Sequence, residues 1–153
     1  MMKPSILFIC IGNWTRSQMA ETFVHHYAGD RIEAFSAGIQ PQPDIHPMTH
    51  FVMSEIGEDM AGQHTHHLRD VLVTREGFGY SYVVTMCDDA QERCPPVALA
   101  RGKHKMHWNF IDPAAVCGSE DEQLAAFRQV RDEVHAQVIT WLETVGVRVP
   151  VLR

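Results

Sequence analysis

The stretch Ile6 to Glu21, ILFICIGNWTRSQMAE, constrains this chain more than any other. Ile6 to Ile9 is a short unbroken apolar run, the pattern of a parallel strand covered on both faces. From Arg16 to Tyr27, Met19, Ala20, Phe23, Val24 and Tyr27 recur at helical spacing. Between the two lie Cys10 and then Ile11, Gly12, Asn13, Trp14 and Thr15 before Arg16 and Ser17. The first N–H groups of a helix have no partner within it, so a strand–loop–helix of this kind can wrap them around a tetrahedral oxyanion. A thiol at the floor of that loop is surrounded by N–H donors, a helix dipole and a guanidinium, all of which favour its thiolate. Arg16 has a planar fork that grips two oxygens at once. A Cys and an Arg at this spacing are alone a weak signal, because a Cys ending a buried strand is often only a small apolar residue. Gly12 and Asn13, which tolerate unusual dihedrals, and Ser17, a thiolate donor beside Arg16, make the string specific. It reads as a nucleophile aimed at a bound oxyanion.

The rest of the chain alternates in the same way. Ile32–Ala37 reads as a second strand closed by Gly38, and Pro41 to Pro47 as a loop. Met48–Ile56 reads as a helix stopped by Gly57, Gln63 to His67 as a polar turn, and Leu68–Val73 as a short helix. Tyr80–Met86 is a third strand ending at Cys87, and Lys105–Trp108 a short fourth. Ser119 to Thr144 is the longest helix, with Ser119 and Glu122 spaced as a capping box. Its buried stripe is Leu124, Phe127, Val130, Val134, Val138 and Trp141. The tail from Val145 carries an apolar VRVPVL with no place in this scheme, either disordered or lying along the surface. The alternation predicts an α/β fold: a single domain over residues 1–153 with a four-stranded parallel sheet and helices on both faces. Ligands of such sheets bind beyond the carboxyl ends of the strands, where Cys10 and Cys87 both fall.

Composition narrows the function. A chain of 153 residues is long enough for one sizeable core. Its net charge of -6 argues against a general affinity for nucleic acid, and no basic run suggests a membrane surface. No signal peptide precedes the first strand, and no apolar stretch approaches the roughly 20 residues of a membrane span. A cytoplasmic protein is expected. There its four cysteines, Cys10, Cys87, Cys94 and Cys117, should be reduced thiols with catalytic or redox roles.

Cys87 and Cys94 bracket DDAQER and precede Pro95-Pro96. Zinc binding is a poor fit, since ligand pairs usually sit two to four residues apart and no second pair completes a site. Burial as bystanders conflicts with the polar residues between them. The third reading is a redox relay. If Asp88 to Arg93 is helical, the helical rise puts the two Cα atoms roughly 10 Å apart. A disulfide needs them within about 7 Å, so the pair oxidises only if the segment unwinds.

CIGNWTRSQMAE resembles the loop shared by low-molecular-weight protein tyrosine phosphatases and thioredoxin-coupled arsenate reductases, and the likeness runs from Ile6 to about Glu143. YVVTMCDDAQERCP is similar to the reductase stretch that holds the second and third redox cysteines, a pair ordinary phosphatases lack. Gln18 stands where phosphatases usually have Pro. Ile111-Asp112-Pro113-Ala114 resembles the general-acid loop, without the aromatic residue that phosphatases usually place after Asp-Pro, and HWNFIDPA matches the reductase version.

The resemblance implies a course of reaction. Cys10 attacks arsenate held by the N–H groups of residues 10–17 and by Arg16, while Asp112 protonates the departing oxygen. Cys87 then attacks the Cys10 sulfur and arsenite leaves. Cys94 attacks Cys87, and thioredoxin reduces the Cys87–Cys94 bond. Asn13 holds the loop's shape and Ser17 the thiolate. No cofactor is bound, the partner is thioredoxin, the protein is a monomer, and phosphate or sulfate serve as analogues of arsenate. Some relatives bind potassium through residues matching Asn13, Glu21 and Ser36, but the carboxylate expected after the His-Thr pair is His67 here. Thr15 replaces a common second Cys, and Trp14 a smaller residue whose replacement narrows or covers the pocket. His64, His66 and His67 suggest a metal less than a solvated turn, and no metal is expected. Cys117 reads as a bystander. The rival enzyme is a phosphatase forming a Cys10 phosphocysteine; a non-catalytic thiol sensor is the rival from another class.

Overall fold

Strand β1, Ser5–Cys10, is buried along its whole length. It is flanked on one side by β2, Glu33–Gly38, and on the other by β3, Tyr80–Thr85. β4, Gly102–His107, follows β3, giving the order β2-β1-β3-β4 with every neighbouring pair parallel. These elements come from a computed structural model that describes residues 3–74, 79–88, 92 and 102–150.

Alternate residues of a strand face opposite sides of the sheet, and β1 uses both sides. Ile6 and Phe8 join the larger core, with Met19, Phe23 and Val24 of helix α1, Arg16–Ala28. Helix α2, Pro47–Ser54, adds Val52 and Met53, and helix α4, Glu120–Thr144, adds Phe127, Val130, Val134, Val138 and Trp141. Leu7 and Ile9 face the other way, onto Ala37, Val83 and Leu68 of the short helix α3, Leu68–Thr74. The expected four-stranded parallel sheet with helices on both faces is therefore present.

Three local features depart from the sequence expectation. β4 begins three residues earlier than Lys105; its residues are half-buried or exposed, so no apolar run marks its start. Pro47 belongs to α2 rather than to the loop before it, at the first helical turn where a missing N–H costs nothing. The tail from Val145 is anchored as far as it is described. Gly146 is left-handed at φ 87°, its N–H reaches Glu143 O at 3.1 Å, and Val147 N–H reaches Leu142 O at 2.8 Å. These two bonds close a Schellman cap, which turns Val147 back into the core. At the other end of α4 the Ser119–Glu122 capping box is formed as its spacing predicts.

The sheet positions one point above all. Cys10 ends β1 in register with Gly38 at the end of β2. A Cβ at Gly38 would stand 2.5 Å from Ile11 O, so only glycine lets β2 pass this close to the loop after Cys10.

Candidate active site

The loop after Cys10 is held by its carbonyls. Ile11 O accepts from Gln40 N–H at 3.0 Å, Gly12 O from Gln42 N–H at 3.0 Å, and Trp14 O from His46 N–H at 3.1 Å. Thr49 Oγ1 adds a second bond to Trp14 O at 3.0 Å. No peptide bond is cis among the described residues. In a trans peptide the N–H points opposite to the C=O before it. Carbonyls drawn outward by residues 40–49 therefore turn the N–H groups of Gly12, Asn13 and Thr15 inward. Asn13 bears this out, its N–H pointing at Cys10 Sγ from 3.2 Å. Asn13 is also the one non-glycine residue with positive φ among those described, at 53°.

The sulfur of Cys10 has a second polar neighbour, Ser17 Oγ at 2.8 Å. The groups behind Ser17 fix which atom of Asn13 faces it. Asn13 Oδ1 accepts from the backbone N–H of His66 at 2.8 Å, and a backbone N–H can only donate. Gln18 Nε2 donates to the same oxygen at 3.2 Å. Asn13 Nδ2 is thus the atom facing Ser17 Oγ, to which it donates at 2.8 Å. Ser17 Oγ, accepting from Asn13, keeps its own proton free to donate to Cys10 Sγ, which also accepts from Asn13 N–H. Gln18 completes the scaffold, donating to His64 O at 2.8 Å and accepting from Gln63 Nε2 at 2.8 Å.

Arg16 opens α1 and is buried. Its Nη1 donates to Phe110 O at 3.0 Å and to Glu92 Oε1, and its Nη2 donates to Glu92 Oε2 at 2.8 Å. Burial lowers the guanidinium's pKa, but the Glu92 carboxylate, Cys10 and Asp112 together outweigh it and the net shift is upward. For Glu92, burial pulls up, while Arg16 and the Asp88 N–H pull down and prevail. Asp112 caps the 3₁₀ turn Pro113–Ala115, its Oδ1 accepting from Ala114 N–H at 3.0 Å. It lies close enough to act electrostatically on both Arg16 and His46.

The remaining candidates divide. Cys87 lies just beyond β3 and is fully buried, against the expectation that the polar residues after it would keep it shallow; the close contact of β3 with β1 carries the chain inside, with Met86 N–H bonded to Ile9 O at 2.9 Å. It is in a disulfide, whereas the sequence reading expects reduced thiols throughout; Cys10 and Cys117 are free. Cys94 lies outside the described residues. Cys117 is exposed. Trp14 packs over Gly12 and meets His46 edge to face, ring centroids 4.5 Å apart. Thr15 Oγ1 and Thr49 Oγ1 lie within hydrogen-bond distance, 3.0 Å apart. His64 and His66 are exposed, and no group of three or more His, Cys, Asp and Glu side chains is placed to hold a metal among the described residues. Glu21 and Ser36 face a cavity of about 200 Å³ also lined by His66 and Asp70. Burial pushes the Glu21 carboxyl up to about 7, opposed by Ser36. The opposing pull comes from both the hydroxyl and the backbone of Ser36.

Two residues at the site have no role in the sequence reading. Glu92 sits inside DDAQER, but nothing in that string says its carboxylate reaches Arg16. His46 accepts from Met48 N–H through Nδ1 and lies between Trp14 and Phe127. A His before Pro at a helix start is its only signal.

A ring of inward N–H groups around an acceptor sulfur suits proteins that attack a bound tetrahedral oxyanion with cysteine. Residues 5–150 match the family of the low molecular weight phosphotyrosine protein phosphatases. An arsenate reductase of Halalkalibacterium halodurans is 38% identical over 144 residues, which is 94% of this chain and 99% of the relative. The chain belongs to this phosphatase family, among its arsenate reductases. Of solved structures, an arsenate reductase in a phosphate-binding state superposes with a TM-score of 0.72 at 26% identity, covering 95% of this chain and 100% of the other. A thioredoxin-dependent arsenate reductase of Corynebacterium glutamicum gives 0.68 at 26% identity over 94% of this chain; the chain spans 62% of that longer one.

Proposed function

We propose that this enzyme reduces arsenate to arsenite by a thiol relay through Cys10, Cys87 and Cys94 and is regenerated by thioredoxin. The observation that carries the reading is the polar setting of Cys10 Sγ, with the Ser17 hydroxyl at 2.8 Å, the Asn13 N–H donating at 3.2 Å, and Arg16 at the end of the same loop. That is the arrangement a thiolate nucleophile needs for a bound anion.

Cys10 thiolate forms a bond to arsenic(V), and Asp112 gives its proton to the oxygen that leaves as water. Cys87 thiolate attacks the Cys10 sulfur; the sulfur–arsenic pair passes to arsenic, which departs as arsenite, reduced by two electrons. Cys94 thiolate displaces Cys10 from Cys87, restoring the nucleophile and moving the disulfide outward. A thioredoxin dithiol reduces that disulfide and is itself oxidised. A disulfide at Cys87 beside a free Cys10 is the state this scheme leaves before thioredoxin acts, and it supports the order of thiols. Thioredoxin is suggested by the Corynebacterium glutamicum protein, and a pool of dithiol reductant implies the cytoplasm.

The first step is shared with phosphomonoester cleavage, so slow hydrolysis of aryl phosphates is expected as a side reaction. The deciding experiment follows NADPH oxidation with arsenate, thioredoxin and thioredoxin reductase. Steady oxidation that stops without thioredoxin, and that Cys94→Ser abolishes while aryl phosphate cleavage persists, supports the relay. Absent oxidation with brisk aryl phosphate hydrolysis makes the protein a phosphatase.

A further inference from the structure

Arg16 already holds an anion, and that anion belongs to the chain. The Glu92 carboxylate spans both terminal nitrogens of the guanidinium, and its Oε1 also accepts from Asp88 N–H at 2.8 Å. Both side chains are largely withdrawn from solvent, with 4% of Arg16 and 15% of Glu92 exposed, so the pair is little screened. A planar carboxylate across a planar guanidinium is the same fork that would grip two oxygens of arsenate or phosphate.

Glu92 is tied back to a redox-active position. Its own N–H donates to Asp88 O at 2.8 Å, so two bonds join Glu92 to Asp88, one from the backbone and one from the side chain. Asp88 directly follows Cys87, whose sulfur is committed to a disulfide in this state. The position of the carboxylate is therefore set one residue away from a bond that the proposed reaction makes and breaks.

We infer that Glu92 is a built-in competitor for the oxyanion site, seated on Arg16 while Cys87 is in a disulfide and displaced once that disulfide is reduced. The inference rests on the reading of the Cys10 loop as the oxyanion site. Competition acts in two ways. Glu92 occupies donors of the guanidinium, and it sets a negative charge where an incoming dianion would have to come. Phe110 O holds Nη1 independently at 3.0 Å, so Arg16 keeps an anchor when Glu92 leaves. The arrangement also fits the chemistry of the product. Arsenous acid is neutral near pH 7 and does not need the guanidinium. Once arsenic leaves as arsenite, Glu92 meets no rival for Arg16, and the oxidised enzyme does not idle with a fresh oxyanion it cannot reduce.

Inorganic phosphate is the probe, because it occupies the site without consuming thiols. Its binding is measured by calorimetry on full-length protein, oxidised with diamide, which takes up the two thiol hydrogens as its hydrazine, and reduced with dithiothreitol, which takes up the disulfide as its own cyclic disulfide. If Glu92 holds Arg16 in about nine of ten oxidised molecules, the apparent Kd for phosphate is raised about tenfold over the reduced form. Glu92→Gln removes the charge and keeps the shape, and should shrink that oxidised-to-reduced ratio to within about threefold, mainly by tightening the oxidised form. A ratio near one in the wild type, or a full ratio retained in Glu92→Gln, overturns the inference while leaving the loop's role intact. No phosphate binding by any form, including reduced wild type, removes the oxyanion-site reading and this inference with it. Melting curves of both variants in both redox states accompany the titration, so that a lost fold is not counted as a lost site.

Discussion

Asn13 donates through Nδ2 to Ser17 Oγ across 2.8 Å, which leaves the Ser17 proton free for Cys10 Sγ, 2.8 Å away on the other side. The orientation of Asn13 is fixed in turn by the His66 N–H on its Oδ1. A backbone amide from a distant loop thereby sets which atom of Asn13 faces the hydroxyl beside the nucleophile.

Ser17→Ala removes one of the two donors from the Cys10 sulfur and leaves the backbone unchanged. A hydrogen bond to a charged group contributes about 1.5–3 kcal/mol. Arsenate turnover should therefore fall by about ten- to a hundredfold. Iodoacetamide modification of Cys10 at pH 7 should slow as well, as read by mass spectrometry; unchanged rates in both assays would contradict donation from Ser17 to the sulfur.

Gly38→Ala tests the packing of β2 against the loop. The new Cβ meets Ile11 O at 2.5 Å, and that carbonyl is already bonded to Gln40 N–H. Since neither backbone can yield without moving the ring of N–H groups, phosphate affinity should drop by more than about tenfold, with a stability loss of about 1–3 kcal/mol. Calorimetry with phosphate and urea unfolding give the two readings.

Glu21 makes stability depend on pH in a definite direction. Its carboxyl titrates at about 7 when folded, against an ordinary value of 4.5, because burial disfavours the charge. Between those values the folded protein holds a proton that the unfolded chain has lost, so stability is greatest below the lower value and declines as pH rises through the higher one. At about 1.4 kcal/mol per unit the loss is about 3 kcal/mol. Glu21→Gln should flatten this slope, most visibly as a gain over wild type at pH 8 that is absent at pH 5. Denaturant unfolding at the two pH values measures it.

Phe127→Ala removes a ring from α4 that is 1% exposed and packs at a tilt against His46. Truncating a buried Phe costs about 3–5 kcal/mol. The midpoint of urea unfolding should fall accordingly. Because His46 also touches Trp14 at the lip of the loop, a modest loss of phosphate affinity should accompany it.

The elements legible in the sequence are those that carry regular apolar patterns. β1, α1 and α4 announce themselves through runs and stripes, and the capping box through its Ser119–Glu122 spacing. The loop of residues 10–17 is legible because its chemistry is local: nucleophile, glycine, asparagine, arginine and serine lie within one strand–helix turn. The start of β4 is misplaced because an edge strand that is half-exposed need not alternate. The cap at Gly146 escapes notice because Val147 reads as tail until Leu142 O is seen to accept its N–H. The contacts that cross the fold are not legible at all. Neither the pairing of Arg16 with Glu92 nor the holding of loop carbonyls by residues 40–49 leaves a trace in composition or spacing, since each joins segments brought together only by the sheet.

The outward carbonyls of Ile11, Gly12 and Trp14 have one more consequence. A cradle braced from behind has its shape before any guest arrives, so it sorts guests by size and charge alone. Phosphate and arsenate, near twins in both, would be admitted on similar terms. On the proposed chemistry, discrimination then falls not to recognition but to fate: thiols can draw arsenic down to its trivalent state and cannot do the same to phosphorus, so only one of the two twins leaves changed.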